Sequence, residues 1–111
     1  MQQTIIDEAV LNDLKDIMGE DFQQLVTTFI QDSIERLSKL SAAIAANDNE
    51  QVRFIAHGFK GSALNLSALE LTELCRQLEA MGRDNQLAQA LPTLEAIRAA
   101  FARVQEKLSQ V

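Results

Sequence analysis

The sequence predicts an all-α protein, an antiparallel up-and-down four-helix bundle with a short additional N-terminal helix. Only one proline and four glycines interrupt the chain, and the helix-favouring residues Ala, Leu, Gln and Glu are abundant throughout. Apolar residues recur at three- and four-residue spacing in five successive segments, which is the period of amphipathic helices. Because short polar loops separate the long segments, we expect neighbouring helices to run antiparallel around one core.

The first two predicted helices occupy the N-terminal part of the chain. The first runs from about Asp7 to Met18, because Gly19 can adopt the left-handed conformation that often ends a helix. The second begins near Asp21 and continues to about Ala46. Its apolar side chains fall on one helical stripe, which consists of Phe22, Leu25, Val26, Phe29, Leu37, Leu40 and Ile44.

The third predicted helix carries the only histidine of the chain, His57. It begins at Asp48, which forms a capping-box pattern with Gln51, and runs to about Leu66. At 100° per residue its core stripe comprises Val52, Ile55, Phe59, Ala63 and Leu66. Since His57 lies about 150° from the centre of that stripe, it is expected to point to solvent.

The fourth and fifth segments complete the bundle. Ser67 and Glu70 repeat the capping-box pattern, so a fourth helix is expected from about Ser67 to Arg83. A final segment runs to about Ser109, and Pro92 either kinks it or marks the first turn of its main part. The inward residues of the two segments are Leu71, Leu74, Cys75, Leu78 and Met81, and Leu94, Ile97, Phe101, Val104 and Leu108.

Composition excludes several classes of function. The formal net charge of −6 argues against a nucleic-acid partner, since binding phosphodiester backbones requires clustered Lys and Arg. The chain has no apolar run of about eighteen residues, and its start, "MQQTIIDEAV", lacks the regions of a secretion signal. We therefore expect no membrane association, a cytoplasmic location and a single domain over residues 1–111.

The single cysteine, Cys75, cannot form an internal disulfide, which agrees with a reducing compartment. It falls on the core face of the fourth helix, whereas His57 falls on the outer face of the third. The two side chains cannot converge on a metal ion, so Cys75 is interpreted as a small buried thiol and no metal site is expected.

The surroundings of His57 are unusual for an acidic protein. Arg53 lies four residues before the histidine and Lys60 three residues after it, so both cations stand beside it on the helix surface. Gly58 and Gly61 fall on the same exposed half of the helix. Each glycine inside a helix costs about 1 kcal/mol relative to alanine, so we expect the bare backbone to serve an approaching group or domain.

Two large apolar residues, Phe54 and Leu64, also project outward on either side of His57. Core packing does not explain either of them, and together with the polar centre they resemble a docking surface. This surface leaves two functions open. One is a carrier of a chemical group on His57, and the other is a helical-bundle binding module that is not phosphorylated and uses the Phe54/Leu64 surface.

The segment "AHGFKGSALNLSALELTELCRQLE" resembles the signature of histidine-containing phosphotransfer (HPt) domains, in which a histidine is followed three residues later by lysine and then by glycine and small residues. The matching residues are His57, Lys60, Gly61, Ser62 and Ala63. The resemblance extends upstream to "FIQDSIERLSKL" and downstream to "CRQLE", and thus spans nearly the whole chain. It departs from the family pattern at Leu64, where a small residue is frequent, and at Ser67, where a glycine is common.

The resemblance implies a phosphorelay carrier of the free-standing, single-domain type. His57 would accept a phosphoryl group from an aspartyl phosphate on the receiver domain of a hybrid sensor histidine kinase, and pass it to the receiver domain of a response regulator. Lys60 would stabilise the charged phosphoryl oxygens and Gly61 would leave room for them, with Arg53 in a supporting position. Glu79 can accept a hydrogen bond from the other ring nitrogen and fix the tautomer of the imidazole.

Further expectations follow from motifs that the sequence lacks. It contains neither G-x-x-x-x-G-K-[ST] nor G-x-G-x-x-G, so we expect no ATP-dependent autokinase activity and no cofactor. The resemblance implies that Mg²⁺ is held by the partner receiver domain and not by this chain. A monomer is expected, because no large second apolar face is left over.

Overall fold

The computed structural model describes residues 5–111, and every regular element within that range is helical. This confirms the predicted all-α class. The elements are α1 (Glu8–Met18), α2 (Asp21–Ala45), α3 (Asn49–Asn65), α4 (Leu69–Arg83), a 3₁₀ turn (Leu87–Gln89) and α5 (Ala90–Ser109). Helices α2 to α5 each pack against the next along the chain, and α5 returns to pack against α2. The four long helices therefore surround a single core.

The short first helix lies at one end of this bundle. The side chain of Asp7 caps it by accepting hydrogen bonds from the backbone N–H groups of Ala9 and Val10. The backbone N–H of Asp7 donates to the carbonyl oxygen of Ser67, between α3 and α4, at 3.0 Å. Lys107 of α5 reaches Glu8 at 3.3 Å. These contacts hold α1 at the end of the bundle.

Helix α3 divides into two faces, as its angular pattern predicts. All five residues of the predicted core stripe are buried, with Phe59 completely inaccessible to solvent. The stripe is one residue wider than predicted, because Ala56 is also fully buried. Facing it in the core are inward residues of the other helices, including Leu40, Leu71, Cys75, Leu78, Ile97 and Phe101.

The helix starts confirm one predicted cap and correct another. Asp48 caps α3, accepting from the backbone N–H of Gln51 at 3.2 Å, as predicted. The predicted capping box of Ser67 and Glu70 is wrong, because α4 begins at Leu69 and has no side-chain cap. Glu70 instead accepts a hydrogen bond from Arg103 of α5 at 3.1 Å.

Ser67 takes part in ending α3 and not in starting α4. Its φ of 54° is left-handed, and the same conformation follows α2 at Asn47 and α4 at Asn85. At each site the backbone N–H groups of the left-handed residue and of the residue after it donate to carbonyl oxygens at the end of the preceding helix. After α3, for example, Ala68 donates to Ala63 at 3.0 Å and Ser67 donates to Leu64 at 2.9 Å. This is the Schellman pattern of helix termination, repeated at three successive corners of the bundle.

The last helix settles the two alternatives for Pro92. Helix α5 begins at Ala90, so Pro92 lies in its first turn, where backbone N–H groups have no partner within the helix. The 3₁₀ turn over Leu87–Gln89 precedes α5. The proline therefore marks the first turn of the main part of the segment, which is the second of the two alternatives. No helix formed by residues 5–111 has the length and apolarity needed to cross a membrane.

Candidate functional site

His57 lies in the middle of α3 on the face opposite Phe59. Its side chain is 65% exposed, which confirms the outward orientation predicted from the helical angle. A hydrogen bond nevertheless holds the ring. Nδ1 of His57 lies 2.8 Å from Oε2 of Glu79, which projects from α4 beside α3. The imidazole is therefore fixed at one nitrogen while the ring as a whole remains accessible.

The carboxylate of Glu79 joins two residues of α3. Its second oxygen, Oε1, lies 2.6 Å from Nζ of Lys60, while Oε2 contacts His57. The Glu79 side chain is only 17% exposed and that of Lys60 is 29% exposed. Lys60 therefore stands beside His57 as predicted, with its charge shared with Glu79.

Glu79 remains a carboxylate at neutral pH. Partial burial acts to raise its pKa, but the hydrogen bonds from Lys60 and His57, together with their charges, outweigh burial and hold the pKa below its ordinary value of 4.5. An ionised carboxylate can only accept hydrogen bonds, so Nδ1 of His57 must carry the proton that it donates. In the neutral ring the lone pair is then on Nε2.

The two glycines beside His57 have different surroundings. A Cβ placed on Gly61 would meet no atom within 4 Å, so this position is open space, as expected. A Cβ on Gly58 would lie 3.4 Å from Nη2 of Arg36, which reaches across from α2. The expectation that the bare backbone at Gly58 serves an approaching group or domain is therefore incomplete, because the guanidinium of Arg36 partly covers it.

Arg36 and Gly82 were not predicted as parts of the site. Nη1 of Arg36 donates to Oγ of Ser62 at 2.9 Å, linking α2 to α3 on the side of the helix away from Glu79. Gly82 lies where α4 packs directly against the backbone of α3, since a Cβ there would be 2.7 Å from the backbone N of Arg53. The only signal for Gly82 in the sequence was a glycine just before the end of the fourth helix, and the pairing of helices needed to interpret it comes from the tertiary structure.

The remaining predicted residues lie around this centre. Phe54 and Leu64 are 65% and 56% exposed, an apolar pair on the same face as His57. Arg53 is half-buried, and its guanidinium lies 3.9 Å from Glu50 of the same helix. Cys75 is fully buried, and burial raises the pKa of its thiol to about 12, so it packs in the core as an uncharged side chain.

Among residues 5–111, no three His, Cys, Asp or Glu side chains come together in a way that would hold a metal ion. The site itself presents an accessible imidazole nitrogen, with Lys60 and Arg36 on the two sides of α3. Fold and site together define a class of protein: helical bundles with an exposed histidine that is held by a carboxylate of the neighbouring helix.

Comparison with known proteins identifies the family within that class. Residues 24–107 match the family model described as the Hpt domain. The chain belongs to the Hpt domain family. The resemblance found in the sequence is thereby confirmed.

Three proteins illustrate this relationship. The chain is 35% identical to histidine-containing phosphotransfer protein B from Pseudomonas aeruginosa PAO1, with a TM-score of 0.93 over 98% of this chain and 95% of that one. ZmHP2 from maize shares the fold, at 24% identity and a TM-score of 0.84 over 96% of this chain and 81% of that one. Sensor protein TorS of Escherichia coli (strain K12) is 30% identical over 98 residues, which are 87% of this chain and 10% of TorS. The chain therefore spans about a tenth of the length of this curated relative.

Proposed function

We propose that His57 is the phosphoacceptor of a multistep phosphorelay. It receives a phosphoryl group from the aspartyl phosphate on the receiver domain of a hybrid sensor histidine kinase, and passes it to the aspartate of a response regulator's receiver domain. The observation that carries the proposal is the hydrogen bond from Nδ1 of His57 to Glu79, at 2.8 Å, on a ring that is otherwise accessible. It leaves Nε2 with a lone pair and no steric barrier to a partner.

Transfer to His57 requires no general base, because the attacking nitrogen carries a lone pair and no proton. The Nε2 lone pair attacks phosphorus, the N–P bond forms, and the bond from phosphorus to the acyl oxygen breaks. The aspartate leaves with the electron pair as a carboxylate. Positive charge develops on the imidazole during attack, so the hydrogen bond from Nδ1–H to Glu79 strengthens and stabilises the phosphorylated ring.

Lys60 and Gly61 serve the group being transferred. The ammonium of Lys60 has three N–H donors, and its contact with Glu79 at 2.6 Å orients it while leaving others for phosphoryl oxygens. Gly61 lies one helical turn from His57 and leaves open space in which the phosphoryl group and the partner's loops fit. Phosphoryl transfer depends mainly on such positioning and charge neutralisation.

The receiver domain docks on Phe54 and Leu64, with Gly58 between them in the sequence and Arg53 next to Phe54. The exposed apolar side chains of Phe54 and Leu64 supply the contact with the receiver domain and do not serve a separate binding function. A Phe54→Ala, Leu64→Ala double variant should bind a receiver domain more weakly in calorimetric titration. Leu91→Ala, an equally exposed leucine outside this surface, is the control and should bind normally.

In this proposal the chain acts as a cytoplasmic monomer, with residues 1–111 as one carrier domain. It has no autokinase activity of its own, and the Mg²⁺ required for aspartyl phosphate chemistry is bound by the receiver. The active unit is thus one carrier bundle with one receiver domain at a time.

The test is transfer of labelled phosphate from a phosphorylated receiver domain. Label should appear on this chain in an acid-labile, base-stable linkage, and a His57→Gln variant should take up none. Lys60→Ala should slow transfer without loss of helical content, whereas Lys39→Ala, which removes a lysine paired with Glu35 on α2, should not. Label that reaches His57→Gln as readily as the unmodified chain would exclude His57 as the acceptor.

A further inference from the structure

Arg36 is held in an unusual electrostatic state. Arg53, Arg76, Arg83, Arg98 and Arg103 all have a carboxylate oxygen within 4.0 Å. Arg36 is the one arginine in residues 5–111 without such a partner, although the chain carries an excess of acidic residues. Its only side-chain hydrogen bond within that range is the one from Nη1 to Ser62. Most of the five N–H donors of the guanidinium are therefore available to another acceptor.

The structure of α3 accommodates this guanidinium. Nη2 and Nε of Arg36 lie 3.4 Å and 3.6 Å from the position where a Cβ of residue 58 would stand. A Cβ at this position would be in van der Waals contact with the guanidinium, and a longer side chain would occupy its place. Gly58 and the hydroxyl of Ser62, one helical turn further along α3, thus fix Arg36 against the helix immediately beside His57.

The direction of the imidazole places its reactive nitrogen away from Glu79. Nδ1 points to α4, where it contacts Glu79, and the two ring nitrogens point in divergent directions. Nε2 therefore faces away from α4. Gly58 and Ser62 mark the opposite flank of α3, where α2 brings Arg36.

The negative charge of a phosphoryl group on His57 is more than Lys60 alone can neutralise. The carboxylate of Glu79, 2.6 Å from Nζ of Lys60, offsets the positive charge of that lysine. A phosphoryl group on Nε2 adds close to two negative charges at neutral pH. Arg36 is the nearby cation on the α2 flank, and no carboxylate oxygen of residues 5–111 lies within 4.0 Å of its guanidinium.

We propose that Arg36 contacts the phosphoryl group on His57, as a second cation acting from α2 opposite the Lys60–Glu79 pair. Guanidinium groups suit this role because their planar donors match the geometry of phosphoryl oxygens. Gly58 and Ser62 are then positioning residues, which hold Arg36 where the phosphoryl group will be. This inference rests on the proposed function of His57.

The test compares Arg36→Gln with Arg36→Lys and with Arg76→Gln, a control that removes an arginine paired with Glu73 on α4. Each protein is phosphorylated in two ways, by a phosphorylated receiver domain and by the small donor phosphoramidate. Arg36→Gln should lower both rates about tenfold, the loss of one charge-assisted contact in the transition state. Arg36→Lys should retain part of the rate, and Arg76→Gln should equal the unmodified chain.

Two outcomes overturn the inference. One is an Arg36→Gln variant that matches the unmodified chain with both donors. The other is a loss of rate with the receiver alone, which would assign Arg36 to docking. Failure of the proposed function is distinguishable, since the unmodified chain would then gain no label on His57 from either donor.

A Ser62→Ala variant keeps the charge of Arg36 and removes only the hydrogen bond that holds its guanidinium. It should therefore reduce the rate less than Arg36→Gln does. The ³¹P resonance of phosphorylated His57 should also shift in both variants and not in Arg76→Gln, a signal that a purely structural role of Arg36 would leave unchanged. An unshifted resonance in Arg36→Gln would contradict contact with the phosphoryl group.

Discussion

At the scale of single residues, Glu79 connects the reactive histidine to its neighbouring lysine through one carboxylate. Its two oxygens lie 2.8 Å from Nδ1 of His57 and 2.6 Å from Nζ of Lys60. The first contact fixes the tautomer and the second restrains the cation. An amide at position 79 would retain one acceptor but lose the charge, so the two functions of the carboxylate can be separated by substitution.

We predict that Glu79→Gln makes the protein less stable at neutral pH and that this difference disappears in acid. Because the folded state holds the pKa of Glu79 below its ordinary value of 4.5, the charged carboxylate contributes stability above that value. The contribution is lost as the pH falls through the folded-state pKa. Urea unfolding should show a deficit of about 1 kcal/mol at pH 7 and almost none well below pH 4.

The control for this prediction is Glu35→Gln. Glu35 pairs with Lys39 at 2.7 Å, but both side chains are more than 60% exposed, so its removal should change stability less. A deficit in Glu79→Gln that is equal at pH 7 and in acid would show that the carboxylate charge does not stabilise the fold. The charged or titratable groups that interact with Glu79 are His57, Lys60, Cys75 and Arg83, and all four remain in the variant.

The residues of the site differ in how far sequence could predict them. Whether His57 is exposed depends only on angles within one helix, so the repeat of 3.6 residues was sufficient. Glu79 required the family resemblance in addition, because its role is to reach from α4 to α3. Arg36 and Gly82 act through the approach of one helix to another, and no spacing along the chain encodes that distance.

At the scale of helices, α2, α3 and α4 end in the same left-handed conformation with different residues. Asparagine tolerates the left-handed conformation at positions 47 and 85, whereas serine at position 67 does so at a higher cost. The sequence pattern of Ser67 and Glu70 was misleading here, because serine is common at helix starts. At this corner Ser67 serves the end of α3, since its left-handed conformation lets backbone N–H groups donate to the last carbonyl groups of that helix.

We predict that Ser67→Gly stabilises the fold by about 0.5 to 1 kcal/mol. Glycine removes the steric cost of a φ of 54° and loses part of that gain through the greater flexibility of the unfolded chain. The family pattern, in which glycine is common at this position, agrees with the direction. Thermal or urea unfolding of the two proteins measures the difference.

Asn85→Gly is the matched control for helix termination. Asn85 has almost the same φ, 56°, but asparagine already tolerates it, so the gain should be smaller than at Ser67. Equal effects at the two positions would mean that the residue type at these corners does not determine their cost. A loss of stability in Ser67→Gly would contradict the assignment of strain to this residue.

At the scale of the whole molecule, α3 belongs to two systems that share one backbone. Its inner face contributes Phe59, Ala63 and their neighbours to the common core, and its outer face carries the site. The sequence predicted this division well, since both faces follow from one helical period. The short connections also predicted which helices lie side by side. They did not predict which residues form the contacts between neighbouring helices.

Because the two faces are separate, we predict that stability and transfer can be lost independently. Phe59 is fully buried, so Phe59→Ala should lower the free energy of unfolding by about 3 to 5 kcal/mol through lost burial and a cavity. His57→Gln should change it by less than about 1 kcal/mol, because the ring is mostly exposed and forms one side-chain hydrogen bond. Denaturant unfolding gives the free energy of unfolding of both variants, and labelled transfer measured well below the unfolding midpoint gives their activity.

The expected pattern is a destabilised Phe59→Ala variant that still transfers label while folded, and a stable His57→Gln variant that does not. A folded Phe59→Ala variant with no transfer would show that core packing controls the geometry of His57 and Glu79 across α3. A His57→Gln variant as unstable as Phe59→Ala would show that the site holds the bundle together. Either result would contradict the division of α3 into a structural face and a functional face.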